Sequence, residues 1–255
     1  MKWIKNPNQW LLEGQNYALN AVLLNSAEDR DLDSVKRLIE EGADPNATDR
    51  YGNTALNLVS VSYKDRELDL EISRFLLDNG ANPDIEDKDG ETPLLNAVAY
   101  SNPDLIELLF EYGAKPDPET KYGQTPLALA SYLGRLDCAK LLIKNGASLE
   151  AKTLDGTTLL HRAALGGWIA MIKFLLAKGL QIDPKDSEGH TPLSIAIKNR
   201  KKATAKLLIN SGADPFNYFK SPLEILDYFK GDINWLKDGP LKRTLKATAI
   251  RKKMF

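Results

Sequence analysis

Asp186-Ser187-Glu188-Gly189-His190-Thr191-Pro192-Leu193, followed further on by Leu207-Leu208 and then Gly212-Ala213-Asp214, is the stretch from which the fold can be read. Thr191 places a hydroxyl where a helix N-terminus needs a cap. Pro192 then occupies the first helical position, where a missing N–H costs nothing. A second segment with helical spacing runs through Leu207 and Leu208 and stops at Gly212, a residue that can adopt the left-handed backbone of a helix C-terminus. The polar, glycine-containing Asp186–His190 reads as a turn. The unit is therefore turn, helix, loop, helix.

The same unit recurs. Glycines closing the second helix fall at Gly42, Gly80, Gly113, Gly146, Gly179 and Gly212, at intervals of 38, 33, 33, 33 and 33. A Gly-x-Thr series falls at Gly52, Gly90, Gly123, Gly156 and Gly189, at intervals of 38, 33, 33 and 33. Two phase-locked series sharing one five-residue excess place an insertion between Gly52 and Gly80. Thr92-Pro93-Leu94 and Thr125-Pro126-Leu127 repeat the helix start, whereas Thr54-Ala55-Leu56 and Thr158-Leu159-Leu160-His161 depart from it. The extra residues, around Ser62–Asp69, lengthen the connection between two helices or extend one of them. They are either a partner-contacting insertion or a tolerated surface loop.

These residues resemble the ankyrin repeat. Asp87, Gly90, Thr92, Pro93, Leu94, Ala97, Leu108, Leu109, Gly113 and Ala114 match its pattern in the third copy. Asp186, Gly189, Thr191, Pro192, Leu193, Ala196, Leu207, Leu208, Gly212, Ala213 and Asp214 match it in the sixth. The resemblance covers roughly residues 15–230 and implies an all-α fold, an ankyrin-repeat solenoid of stacked helix-turn-helix units joined by β-hairpin-like turns. The expected division is an N-terminal extension (1–14), an N-terminal capping repeat (15–48) and repeat two with the insertion (49–86). Repeats three to six follow (87–119, 120–152, 153–185, 186–218), then a degenerate capping repeat, starting at Ser221-Pro222-Leu223, with a basic C-terminal helix or tail (219–255). By the same resemblance His161 is structural and hydrogen-bonds backbone between repeats.

Composition narrows the function classes. Lys+Arg 34 against Asp+Glu 35 give a net charge of −1, which argues against a uniformly basic nucleic-acid binder. With 43% hydrophobic and 27% charged residues the chain should fold rather than stay disordered. The single cysteine, Cys138, cannot form an internal disulfide. No signal-peptide pattern follows Met1-Lys2-Trp3 and no apolar run is long enough to span a membrane, so a cytoplasmic location is expected, with transfer into a host cell if this is a bacterial effector. His161 and His190 are the only histidines, which makes a His/Cys zinc site improbable. No nucleophile or metalloprotease motif is present, and Asp44, Asp84, Asp117, Asp183 and Asp214 recur as turn residues rather than acid/base pairs. The expectation is no enzyme, no cofactor and no metal.

Recognition remains. The resemblance implies a partner protein bound on the concave face formed by turn tips and first helices. On the tips the repeat leaves Arg50, Tyr51, Asn53, Lys88, Asp89, Tyr122, Gln124, Leu154 and His190 undictated; at the first-helix ends it leaves Tyr100, Tyr132, Leu133 and Leu165. Tyrosines and leucines of this kind suit an interface core. The role expected is an adaptor, an effector or an inhibitor, an immunity-type inhibitor of a toxin enzyme among the alternatives, monomeric when unbound. Residues 237–255, with seven basic side chains against Asp238, offer a different reading as a nucleic-acid or anionic-membrane contact. Charge is also uneven. Residues 1–100 hold 10 basic and 19 acidic side chains, residues 101–200 hold 12 and 11, and residues 201–255 hold 12 and 5. If each repeat adds roughly 10 Å, the ends lie several Debye lengths of about 8 Å apart. A partner should then meet the early repeats with a basic patch and the late ones with an acidic patch.

Overall fold

A computed structural model of the chain describes residues 7–61 and 65–253, the side chains of 7–15, 252 and 253 excepted. Ser62, Tyr63 and Lys64 of the insertion lie outside the described residues, as do residues 1–6, 254 and 255. Among the described residues there are fourteen α-helices and no extended strand. The first helices of successive repeats are α1 (Pro7–Asp29), α3 (Ala55–Ser60), α5 (Pro93–Ala99), α7 (Pro126–Leu133), α9 (Leu159–Gly166), α11 (Pro192–Lys198) and α13 (Pro222–Tyr228). The second helices are α2 (Leu32–Glu40), α4 (Arg66–Asp78), α6 (Pro103–Glu111), α8 (Leu136–Lys144), α10 (Ile169–Ala177) and α12 (Lys202–Asn210), and α14 (Pro240–Lys253) follows α13. Only isolated antiparallel bridges, Thr48 to Thr54 and Lys152 to Thr158, give the turns hairpin character.

The chain forms two compact units. The first comprises Met1–Leu127 and Asp137–Ser148, the second Ala128–Leu136 and Leu149–Phe255. In the first, α3 packs on α1 and α5, and α4 on α2 and α6. In the second, α9 packs on α11, α10 on α12, and α14 on α13. Helix starts obey local chemistry. The Thr54, Thr92 and Thr191 side chains accept the backbone N–H three residues on, which satisfies a donor the helix itself cannot. The second helices are amphipathic; α6 buries Leu105, Ile106, Leu108 and Leu109, at roughly 1.5–3 kcal/mol for each such side chain.

The described part of the insertion becomes helix from Arg66 onward. The other second helices are nine residues long and α4 is thirteen. Its added turn carries Asp69 inward, where the Arg30 Nε donates to Asp69 Oδ1 at 2.8 Å. The same guanidinium donates to the Glu28 and Val61 carbonyls, so one side chain ties the loop of repeat one to the start of the insertion. The second unit ends differently. Tyr218, Phe219, Tyr228, Phe229 and Trp235 form an unbroken series of ring contacts with centroids 4.6–5.6 Å apart, an aromatic cluster in which Phe219 and Phe229 are buried. At the N-terminal end α1 runs through the expected 14/15 boundary without a break.

The recurring aspartates divide into two groups. Asp44 and Asp214 accept from backbone two residues ahead, within their own turns. Asp84, Asp117 and Asp183 instead accept from Lys115, Ser148 and Asp214, one repeat further on. Single repeat-period register therefore hides two jobs, one local and one joining neighbours.

Candidate protein-binding surface

Each tip is held by its own opening residue. Asp49 Oδ1 accepts from the Tyr51 and Asn53 amides, Asp87 from Asp89 and Glu91, and Asp186 from Glu188 and His190. Thr120 does the same with its hydroxyl, for Tyr122 and Gln124. Neighbouring tips are also linked. Lys88 N donates to the Tyr51 carbonyl and Lys121 N to that of Asp89 in the first unit, and Ser187 N donates to Asp155 in the second. Gly52 shows why glycine recurs: its φ is +91°, and an added Cβ would lie 3.0 Å from Asp87 Cα. The tips are thus fixed platforms, and what varies is the side chain each one displays.

In the first unit Tyr51 is 55% and Tyr122 74% exposed, and the Arg50 guanidinium lies 4.7 Å from the Tyr51 ring centroid. Lys88 and Asp89 are exposed, Asp89 within 3.3 Å of Lys121 Nζ. Asn53 turns inward, its Nδ2 donating to Asp49 Oδ2, so its amide serves the turn. Gln124 and Tyr100 are half-buried. Beside the Arg50–Tyr51 tip lies a groove of about 470 Å³ lined by Tyr17, Asn20 and Leu24 of α1. Tyr17 is a surface residue that repeat reasoning passes over, since the first repeat lacks the turn by which the others are aligned.

In the second unit Leu154 stands 77% exposed on its tip. His190 does not: its Nδ1 lies 3.3 Å from Asp186 Oδ2, and the Lys198 ammonium donates to its Nε2. At the helix ends Tyr132 is 40% exposed while Leu133 and Leu165 are half-buried. Trp168, not anticipated from the sequence, is 44% exposed beside them. Its signal was present: an indole at a helix N-cap position where Asp31, Asp65 and Asn102 stand in other repeats, preceded by two glycines.

His161 occupies no open site. The Thr158 amide donates to its Nδ1 at 3.1 Å, so that nitrogen carries no proton and Nε2–H donates to the His190 carbonyl at 2.9 Å. Burial pushes the imidazole below its ordinary pKa, against the opposing pull of the His190 carbonyl. Asn57 stands at the same place in repeat two, where its amide donates to the Glu91 and Ile85 carbonyls. The inter-repeat bridge is therefore made by two different side chains.

The tip ladders, capped helix pairs and bridging residues recur through the fold, and comparison with family models agrees. Residues 21–61 match a model of ankyrin repeats (many copies), and residues 61–153 and 148–217 match a model of ankyrin repeats (3 copies). The chain belongs to the ankyrin-repeat family. No curated protein matches it in sequence. Ankyrin repeats are generally protein–protein interaction modules and typically non-catalytic. Among the described residues of this ankyrin chain no group of three or more His, Cys, Asp or Glu could hold a metal ion, and no helix is long and apolar enough to cross a membrane. The C-terminal helix α14 buries Leu245 against α13 and leaves Arg243, Lys246 and Arg251 exposed. On the same helix Ile250 stays 62% exposed.

Proposed function

We propose that this ankyrin-repeat protein binds a partner protein non-catalytically through its turn tips, with Tyr51 and Tyr122 as anchors on the first unit and Leu154 on the second. The observation that carries this reading is the contrast within each tip: a backbone fixed by several hydrogen bonds presents a large, mostly exposed apolar side chain. Pre-fixed anchors lose little conformational entropy on binding, which is where interface energy is otherwise forfeited. The first unit carries 14 basic and 25 acidic side chains, Asp87, Asp89 and Glu91 of one tip among them, and burial with the neighbouring carboxylates raises the Glu91 pKa. A basic partner face suits that unit.

The test replaces Tyr51, Tyr122 and Leu154 together by alanine in the full chain. Quantitative affinity capture from the native cell should lose the specific partner seen with the parent protein. Surface truncations of this kind should move stability by no more than about 0.5 kcal/mol each. Retained capture at unchanged stability would remove the tips from the interface.

A further inference from the structure

The loops joining first to second helices lie at the far end of the helices from the tips, and in the second unit they carry a different chemistry. Trp168 heads α10 without making a side-chain cap bond. Its indole Nε1–H donates instead to the Tyr132 carbonyl at 2.6 Å. The ring rests on two glycines: an added Cβ would lie 2.4 Å from Trp168 Cδ2 at Gly134 and 2.1 Å from Nε1 at Gly166. Only hydrogen leaves room for the ring there, so its position is built in.

Cations flank it. The Lys202 ammonium lies 5.5 Å from the Tyr228 ring centroid. The methylenes of Lys201 cross Gly167, with Cδ 2.9 Å from where a Cβ would sit. Arg200 and Lys230 are exposed in the adjoining loops. Among the described residues of loops 134–135, 167–168, 199–201 and 229–236 the acidic member is Asp232, and Lys206 Nζ holds it at 3.0 Å. The second unit as a whole has 20 basic and 10 acidic side chains.

We propose that this basic strip docks a short acidic segment of a partner protein, with an apolar or aromatic residue of that segment lying on the exposed part of Trp168. Carboxylates of the segment meet Arg200, Lys201 and Lys230 in charge-assisted hydrogen bonds. Two observations favour a peptide over a nucleic acid. Binding of a single strand rests on several free ring faces for successive bases, but Tyr132 and Tyr228 already carry cations and Trp168 lies on glycine. The exposed cations of the strip are also few, Arg200, Lys201, Lys202 and Lys230, which suits a few carboxylates better than the long run of phosphates on a nucleic acid. The surface is separate from the tips and does not rest on the preceding reading.

The experiment measures fluorescence anisotropy of the full chain with a labelled glutamate-rich peptide containing one phenylalanine, beside a labelled oligouridylate of equal length. The peptide should bind more tightly than the RNA, and binding should weaken as salt rises. Lys201→Glu with Lys202→Glu should weaken it by roughly tenfold or more, because opposite charges become like charges. Glutamate at the first turn of α12 suits the helix dipole, so the variant should fold, as a circular dichroism melt would verify. Replacing the peptide's phenylalanine by glycine should also lower affinity, while Tyr51→Ala with Tyr122→Ala should leave it unchanged. Tighter binding of the oligouridylate, no binding of the peptide, or affinity unaltered by the double reversal would each overturn the proposal.

Discussion

The two units share one repeat plan and carry opposite charge. The first holds 14 basic and 25 acidic side chains, net −11; the second holds 20 and 10, net +10. The shared plan consists of threonine caps, tip glycines and buried leucines, none of which dictates the sign of the surface. The scaffold therefore leaves the sign of each surface open, and a net charge of −1 conceals two strong local fields. The loop residue just before each second helix shows how far identical positions can diverge. Arg30 in the first unit and Arg200 in the second both adopt left-handed backbone, with φ of 61° and 57°. One guanidinium serves a buried carboxylate, while the other side chain is exposed.

The largest expected effect breaks the first member of that pair. Arg30→Ala leaves Asp69, which is 1% exposed, without its cation, and its Oδ2 already has no hydrogen-bond partner among the described residues. Stranding a buried charge in this way costs about 3–5 kcal/mol. Arg200→Ala should cost less than about 0.5 kcal/mol. Urea unfolding of both variants checks the contrast. Equal midpoints would mean that the Arg30–Asp69 contact does not hold the added turn of α4.

A smaller effect sharpens the comparison of Asn57 with His161. His161→Ala removes a cap and an inter-repeat bond, at about 1–2 kcal/mol. The histidine also adds to the second unit an acid sensitivity that the amide in that place does not give the first. Because burial lowers the folded-state pKa, the unfolded chain binds the proton first. Stability is therefore fully present above the ordinary histidine value of about 6.5 and declines as pH falls from there toward the depressed folded value. His161→Asn should flatten that slope, read from unfolding midpoints across a pH series. An unaltered slope would assign the acid sensitivity to other groups.

How much of this was legible depends on whether one residue or two repeats decide the matter. Gly52 and Thr92 could be read directly, since a positive φ and a helix cap are local demands that few residue types meet. Asp44 and Asp84 look alike in sequence, yet one caps its own turn and the other reaches the next repeat, because only packing brings the Lys115 amide within 2.9 Å. Trp168 escaped notice for the same reason: its seat is made by Gly134 and Gly166, from two repeats. The tip residues are displayed unevenly. Tyr51, Tyr122 and Leu154 are displayed, whereas Asn53 and His190 serve the turns themselves, a distinction set by which acceptor each side chain reaches.

The smallest effect uses one backbone change three times. Ser101, like Arg30 and Arg200, precedes a second helix with positive φ, at 55°, while Gly134 and Gly167 fill the corresponding place in the two intervening repeats. Glycine there relieves about 1 kcal/mol of strain but adds roughly 0.5–1 kcal/mol of unfolded-state entropy. Ser101→Gly should therefore raise stability by no more than a few tenths of a kcal/mol, seen as a small rise in Tm. Arg200→Gly should change stability just as little, yet weaken binding of the acidic peptide, since it deletes one cation of the strip. Arg30→Gly has the same backbone gain and should still lose several kcal/mol, because Asp69 is stranded. Three equal backbone changes with three unequal outcomes would show that the differences between the units reside in side-chain partners. A common outcome would place them in the backbone instead.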